Sequence, residues 1–177
     1  MRSHVYLVIL IIVMVIGGSF STGMCAEVKT LQDFKNSSFL KKYPQKKQMD
    51  SWALRDGGYN NSFSFRLGND PDSWFSVEVV TKSTSNPIVF HYGLMFHDES
   101  VPDYKTKFTK QIRDIVQDFI SSIDSGWPIK DVIEYAQNQS AVKYSKIADA
   151  PKNMFGKYSV RAGTVGNSII ISIDKTQ

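Results

Sequence analysis

The chain has 177 residues, enough for one domain with a substantial core, and its single cysteine excludes an internal disulfide bond. Its 21 lysines and arginines against 17 aspartates and glutamates give a formal net charge of +4. That excess is too small to indicate a nucleic-acid-binding protein. The sequence therefore favours a folded domain that is stabilised by its hydrophobic core.

The N-terminal 26 residues are typical of a secretory signal peptide. Arg2 supplies a positive start, residues 5–16 are continuously apolar, and small residues surround a cleavage zone at residues 21–26. We therefore expect residues 1–26 to be removed and residues 27–177 to form a single exported domain. Because that domain lacks disulfide bonds, a bacterial periplasm or cell surface is the expected location.

Two alternatives place the same segment in a membrane. The apolar run extended to Phe20 is short for a bilayer span of about 20 residues, which leaves an uncleaved anchor as one alternative. Cys25 follows small residues, as the lipidated cysteine of a bacterial lipoprotein does, but Met24 directly before it departs from that pattern. A removed or lipidated Cys25 leaves no free thiol for catalysis, and we expect membrane contact only through this segment.

The first element after this segment is a short helix at residues 31–42, since Thr30 is a good N-cap and Pro44 ends the helix. Three runs of alternating apolar and polar residues follow, around residues 62–67, 75–80 and 88–96. They predict an antiparallel meander, with residues 51–54 as a candidate fourth strand. The third run has the longest apolar row: Ile88, Phe90, Tyr92, Leu94 and Phe96.

The strongest helical pattern covers residues 104–123, where apolar residues form one continuous stripe. Pro128 suits the first position of a second helix. Two or three strands close the chain, at residues 158–162 and 168–173, with a weaker candidate at residues 142–147.

This order predicts an α+β fold. We expect an antiparallel sheet, made of the meander and a C-terminal hairpin, with two helices packed on one face. The short N-terminal helix and the signal peptide precede it.

Histidines offer little catalytic chemistry. His91 and His97 lie on the same side of one predicted strand but about 20 Å apart, too far to share a metal on a straight strand. His97, Asp98 and Glu99 form the candidate acid/base group, with a solvated turn as the competing interpretation. No recognisable motif frames a nucleophile, a nucleotide or a metal, so we predict no cofactor and no metal.

Two sets of residues are candidates for a binding surface. Exposed aromatic residues at strand edges or turns stack on sugar rings or enter a partner's pocket; the candidates are Trp52, Tyr59, Trp74, Tyr92 and Trp127. A basic cluster suits anionic lipid or an acidic polymer; its members are Lys41, Lys42, Lys46 and Lys47. The competing interpretations are core aromatics and a solvated helix end.

We expect a non-catalytic exported domain that binds a protein or an envelope component across its sheet, and no nucleic acid. One alternative is a small envelope hydrolase that uses His97, Asp98 or Glu99. The other is a protein that holds an apolar ligand between the sheet and the helix at residues 104–123.

Overall fold

The computed structural model describes residues 27–44, 47–48, 51–54, 57–68, 72–85, 87–98 and 106–176; residues 47 and 48 are described by their backbone alone. The predicted signal peptide and Cys25 lie outside the described residues, as do Lys46 and Glu99. Within the described ranges, no helix is both long and apolar enough to cross a bilayer.

Eight strands of the described chain form one antiparallel sheet. They are β1 (Lys47–Gln48), β2 (Trp52–Ala53), β3 (Tyr59–Arg66), β4 (Ser73–Thr81), β5 (Val89–Asp98), β6 (Asn153–Phe155), β7 (Tyr158–Val165) and β8 (Ser168–Lys175). The spatial order is β1-β3-β4-β5-β8-β7-β6, and β2 also pairs with β3. The C-terminal hairpin thus joins the meander through β5 and β8, which confirms the predicted α+β class with an antiparallel sheet.

Four helices cover one face of the sheet, which we call the inner face. They are α1 (Leu31–Lys35), α2 (Ser38–Lys42), α3 (Lys110–Ile123) and α4 (Ile129–Ser140). Phe119 of α3 is fully buried, with its ring 5.3 Å from that of Phe39 and 5.6 Å from that of Tyr92. Alternation along each strand supplies the sheet side of this core, as with Phe63, Val77, Leu94 and Ile171.

The opposite face of the sheet, the outer face, carries the other half of each alternating strand. Glu78, His91 and Arg161 lie on it, together with several serines and Gly93. The chain between α4 and β6 runs across part of this face. There Tyr144 packs directly on Gly163, so closely that a Cβ atom at residue 163 would overlap its ring.

The first predicted helix and the long predicted helix do not have the boundaries that the sequence pattern indicates. Residues 31–42 form two helices rather than one, because Ser37 caps a new helix by accepting a hydrogen bond from the Leu40 backbone N–H at 3.3 Å. The long helix begins at Lys110, because Thr109 caps it in the same way through the Ile112 backbone N–H. Tyr104 lies outside the described residues.

The strand predictions need two corrections. Residues 142–147 form no strand; one parallel bridge joins Lys143 to Thr164, and a 3-10 turn follows at Ile147–Asp149. In β5 a bulge shifts the register, since Val80 pairs with His91 but Thr81 pairs with Val89. The core side therefore changes from the expected Ile88 and Phe90 to Val89, which is 1% exposed, while Ile88 is 45% exposed.

Candidate functional site

A depression of about 240 Å³ opens on the outer face, over the middle of β4, β5 and β8. Polar groups on its lining come from Glu78, His91 and Ser172. Its remaining lining is apolar and includes Met95, Ile147 and Ile170. We call this the outer-face depression.

The register of three strands builds the polar part of the outer-face depression. Gly93 pairs with Glu78 on one side and with Ser172 on the other, and His91 lies two residues before Gly93 on the same face. A Cβ atom built on Gly93 would stand 3.5 Å from Glu78 Oε2 and 3.8 Å from His91 Nε2. Glycine therefore leaves the backbone uncovered between a carboxylate oxygen and an imidazole nitrogen.

A carboxylate on the neighbouring strand holds the histidine in place. His91 Nδ1 lies 2.7 Å from Asp174 Oδ1, and the two residues are directly opposite each other in the β5–β8 register. This hydrogen bond holds the pKa of the Asp174 carboxyl below its ordinary value, so the carboxylate is ionised and only accepts. Nδ1 therefore donates the hydrogen of this bond, and Nε2 is the ring nitrogen that faces the depression.

Charges around the depression are unevenly compensated. Asp174 has His91 as its partner, with Lys152 Nζ at 3.9 Å and the Arg161 guanidinium close enough to lower its pKa further. Within the described part of the chain, the Glu78 carboxylate has neither a hydrogen bond nor an ion pair. The depression therefore presents, among the described residues, one carboxylate without an ion pair beside an imidazole nitrogen.

One residue of the apolar lining, Ile147, is carried by the chain that crosses the outer face. The bridge between Lys143 and Thr164 and the packing of Tyr144 on Gly163 anchor this segment to β7. Ile147, at the start of the following 3-10 turn, then lies against the depression. Only a glycine at residue 163 permits this close approach.

The donor set is not that of a complete protein metal centre. Nowhere in the described ranges do three His, Cys, Asp or Glu side chains come together in a geometry that could hold a metal ion. What the outer-face depression offers is a carboxylate and an imidazole beside an apolar wall, an arrangement suited to a ligand with a polar end and an apolar body.

The structure separates the acid/base group suggested by the sequence. His97 lies on the outer face, where its Nδ1 is 2.9 Å from Ser168 Oγ and its ring lies 5.0 Å from that of Trp74. Asp98, one residue later, points to the other face and accepts a hydrogen bond from Ser73 Oγ at 3.1 Å. Glu99 lies outside the described residues. Within the described part of the chain, His97 and Asp98 do not face a common cleft.

The aromatic candidates do not form one surface. Tyr92 and Trp127 are core residues, 2% and 6% exposed, and the Trp127 indole N–H donates to the Phe155 carbonyl. Trp52 is 39% exposed, and Tyr59 and Trp74 are half-buried. Trp52 pairs with Asn60 and Trp74 with Arg66, so the two indoles lie about 20 Å apart along β3.

The described part of the basic cluster consists of two exposed lysines at the end of α2. Lys42 forms an ion pair of 2.6 Å with Asp118 of α3, and Lys41 is exposed. The side chains of Lys46 and Lys47 are outside the described part. A salt bridge at such an exposed position contributes little to stability, but it does reduce the charge offered to an anionic partner.

The space between sheet and α3, proposed for an apolar ligand, is occupied by packed rings of α1, α2 and β3. Phe34 lies 5.4 Å from Phe63 and 6.0 Å from Phe119, measured between ring centroids. A depression of about 320 Å³ does lie at the start of α3, but Asp98, Thr106 and Gln111 line it together with apolar residues. This mixed polar and apolar lining is typical of a hydrated surface cleft rather than of a cavity for an apolar ligand.

Sequence reasoning misses the outer-face depression because its polar members come from three strands. The pairing of His91 with Asp174 depends on the β5–β8 register, which no local motif specifies. The one local signal is the spacing of His91 and Gly93, which places a glycine next to a histidine on the polar face of a strand. A glycine inside a strand often marks a close approach by a ligand.

No protein-family model matches the chain, and it has no significant match to a curated protein or to a solved structure.

Proposed function

We propose that the protein is an exported, non-catalytic binding domain that engages a protein or envelope component through the outer face of its sheet. The observation that carries this proposal is the outer-face depression, where Glu78 Oε2 and His91 Nε2 flank the uncovered backbone of Gly93. Both side chains are half-buried beside apolar residues, and a concave surface with a few convergent polar groups is typical of a binding site.

The rest of the fold supports the outer face as the binding face. Four helices of the described chain pack on the inner face, whereas the described residues that cross the outer face are those around Tyr144 and Ile147. A ligand therefore reaches the depression without disturbing the core.

Export is part of the same proposal and rests on residues 1–26. We expect the purified native protein to begin within residues 24–27, because the small residues of the cleavage zone end there. Determination of the N-terminal sequence tests this expectation. Recovery of intact Met1 in a membrane fraction would support the uncleaved anchor instead.

Affinity capture with site variants tests the binding function. The purified protein is used as bait against an envelope extract of its native host, beside the variants Gly93→Ala and Glu134→Gln. The methyl group of Gly93→Ala fits at ordinary van der Waals distances but occupies the point between the two acceptors. Glu134 is exposed on α4, away from the outer face, and its variant serves as the matched control.

We expect Gly93→Ala to lose the captured component and Glu134→Gln to retain it. Equal capture by both variants contradicts binding at the depression.

The His91–Asp174 pair favours a second candidate function, an acid/base hydrolase. A histidine oriented by a carboxylate, with its second nitrogen open to a cleft that Ser172 also lines, has the parts of a general base next to a hydroxyl. In this second candidate function His91, rather than His97, is the general base. Turnover of peptidoglycan, ester or phosphoester substrates that is lost in His91→Ala, with an unchanged circular dichroism spectrum, would favour it over simple binding.

A further inference from the structure

The charge distribution of the outer-face depression favours a cationic group. Asp174 accepts a hydrogen bond from His91 and has the cations Lys152 and Arg161 nearby, whereas Glu78 has no hydrogen bond or ion pair among the described residues. A cation beside Glu78 gains an ion pair that the protein itself does not supply. When its ring is neutral, His91 offers Nε2 as a second acceptor for a hydrogen of the same cation.

The apolar lining narrows the class of cation. Met95, Ile147 and Ile170 line the depression next to the two acceptors, so the ligand has an apolar portion adjoining its charged end. A bare metal ion makes no use of such a wall, and the described ranges bring no third metal ligand to it. A primary alkylammonium matches both parts, since its ammonium has several hydrogens to donate and its methylene stem packs on apolar side chains.

We propose that the outer-face depression binds the end of a lysine side chain presented by a protein partner, with the ε-ammonium between Glu78 and His91. The four-carbon stem lies against Met95, Ile147 and Ile170, and Asp174 positions the imidazole so that Nε2 accepts. This inference rests on the proposed binding function and names its ligand chemistry. Asp174 is a positioning residue, because it contacts the ligand only through His91.

A titration with small probes tests the proposal. N-acetyl-lysine methylamide is added to the isotope-labelled protein, and amide chemical shifts are followed beside an N-acetyl-norleucine methylamide control, which keeps the stem but lacks the ammonium. We expect saturable shifts around Gly93 on β5 and Ser172 on β8 with the lysine probe alone. Glu78→Gln should weaken binding about tenfold or more, the factor that corresponds to one charged hydrogen bond.

Matched variants separate a specific site from general charge attraction. Glu134→Gln removes the same charge from the surface of α4 and should leave the affinity unchanged. Asp174→Asn should weaken the lysine probe, and Gly93→Ala, which occupies the open point, should abolish its binding. Circular dichroism spectra like that of the wild type confirm that each variant is folded.

Several results would overturn the inference. Equal binding of the norleucine probe shows that the ammonium is not recognised, and an unchanged affinity in Glu78→Gln shows that the carboxylate is not the partner. Phosphoethanolamine binding as tightly as the lysine probe assigns the site to a lipid headgroup instead. If no probe binds but captured material is still lost in Gly93→Ala, the binding function stands and only the lysine assignment fails.

Discussion

The two faces of the sheet are built from the same strands but differ in how their side chains are satisfied. On the inner face Phe63, Leu94 and Phe119 are fully buried against one another and against the helices. On the outer face Glu78 and His91 are half-buried and direct acceptor atoms to an open point above Gly93. Apolar packing is completed within the chain, whereas the Glu78 carboxylate has no hydrogen bond or ion pair among the described residues. The inner face therefore stabilises the fold, and the outer face is where we locate binding.

The largest expected effect is on the inner face. Phe119→Ala removes a fully buried ring that contacts Phe34, Phe39 and Tyr92, so it should lower the free energy of unfolding by about 3–5 kcal/mol. Gln117→Ala, on the exposed side of α3, should be nearly neutral. Denaturant titrations of both variants measure this difference. Equal shifts of the two midpoints would mean that the inner face has been assigned to the wrong side of α3.

An ion cluster near the end of α3 provides the second effect, and it depends on pH. Lys157 pairs with Glu27 at 2.7 Å and with Asp124 at 2.9 Å, and Asp124 also accepts from Tyr158. Burial opposes ionisation of both carboxyls. The interactions with Lys157, together with those of Lys175 at Glu27 and of the Gly126 backbone N–H and Tyr158 at Asp124, outweigh it, and the pKa of each carboxyl lies below its ordinary value. Asp124→Asn should lower stability at neutral pH by about 1–3 kcal/mol.

The sign of the pH effect follows from the lowered pKa values. The stabilisation is fully present above the unfolded-state pKa values, about 4, and is lost as pH falls through the lower folded-state values. Denaturation midpoints between about pH 5 and pH 2 should therefore fall less steeply in Asp124→Asn than in the wild type. Parallel curves would show that Asp124 is not stabilised in its ionised form.

The third effect tests how the apolar wall of the depression is held. A Cβ atom at residue 163 would overlap the Tyr144 ring, so Gly163→Ala should displace the crossing segment and cost about 1–3 kcal/mol through overpacking. The displaced segment carries Ile147, so ligand binding should weaken as well. In the double variant with Tyr144→Ala the clash is relieved, and the cost of Gly163→Ala should shrink. A cost that is unchanged in that background would exclude this contact as its cause.

These contrasts also show how far the sequence carries the prediction. Alternation along β3, β4 and β8 and the apolar stripe of α3 determine the fold class, because burial on one face imposes periods of 2 and 3.6 on the chain. The β5 bulge could not be predicted in this way, because an inserted residue exchanges the faces of Ile88 and Val89 without changing the apolar character of the run. The outer-face depression could not be predicted for a related reason, because only the β5–β8 register brings His91 next to Asp174.

The smallest expected effect on stability belongs to Glu78, the carboxylate that we propose binds the ligand. Among the described residues the Glu78 carboxylate has no hydrogen bond or ion pair, so Glu78→Gln removes a charge without breaking a contact. The free energy of unfolding should change by no more than about 0.5 kcal/mol in either direction. Asp124→Asn, which removes a paired carboxylate by the same chemical change, is the matched comparison, and denaturant titrations at neutral pH measure both. A loss in Glu78→Gln as large as that in Asp124→Asn would show that Glu78 stabilises the folded chain, and the contrast between the two faces would then fail at its central residue.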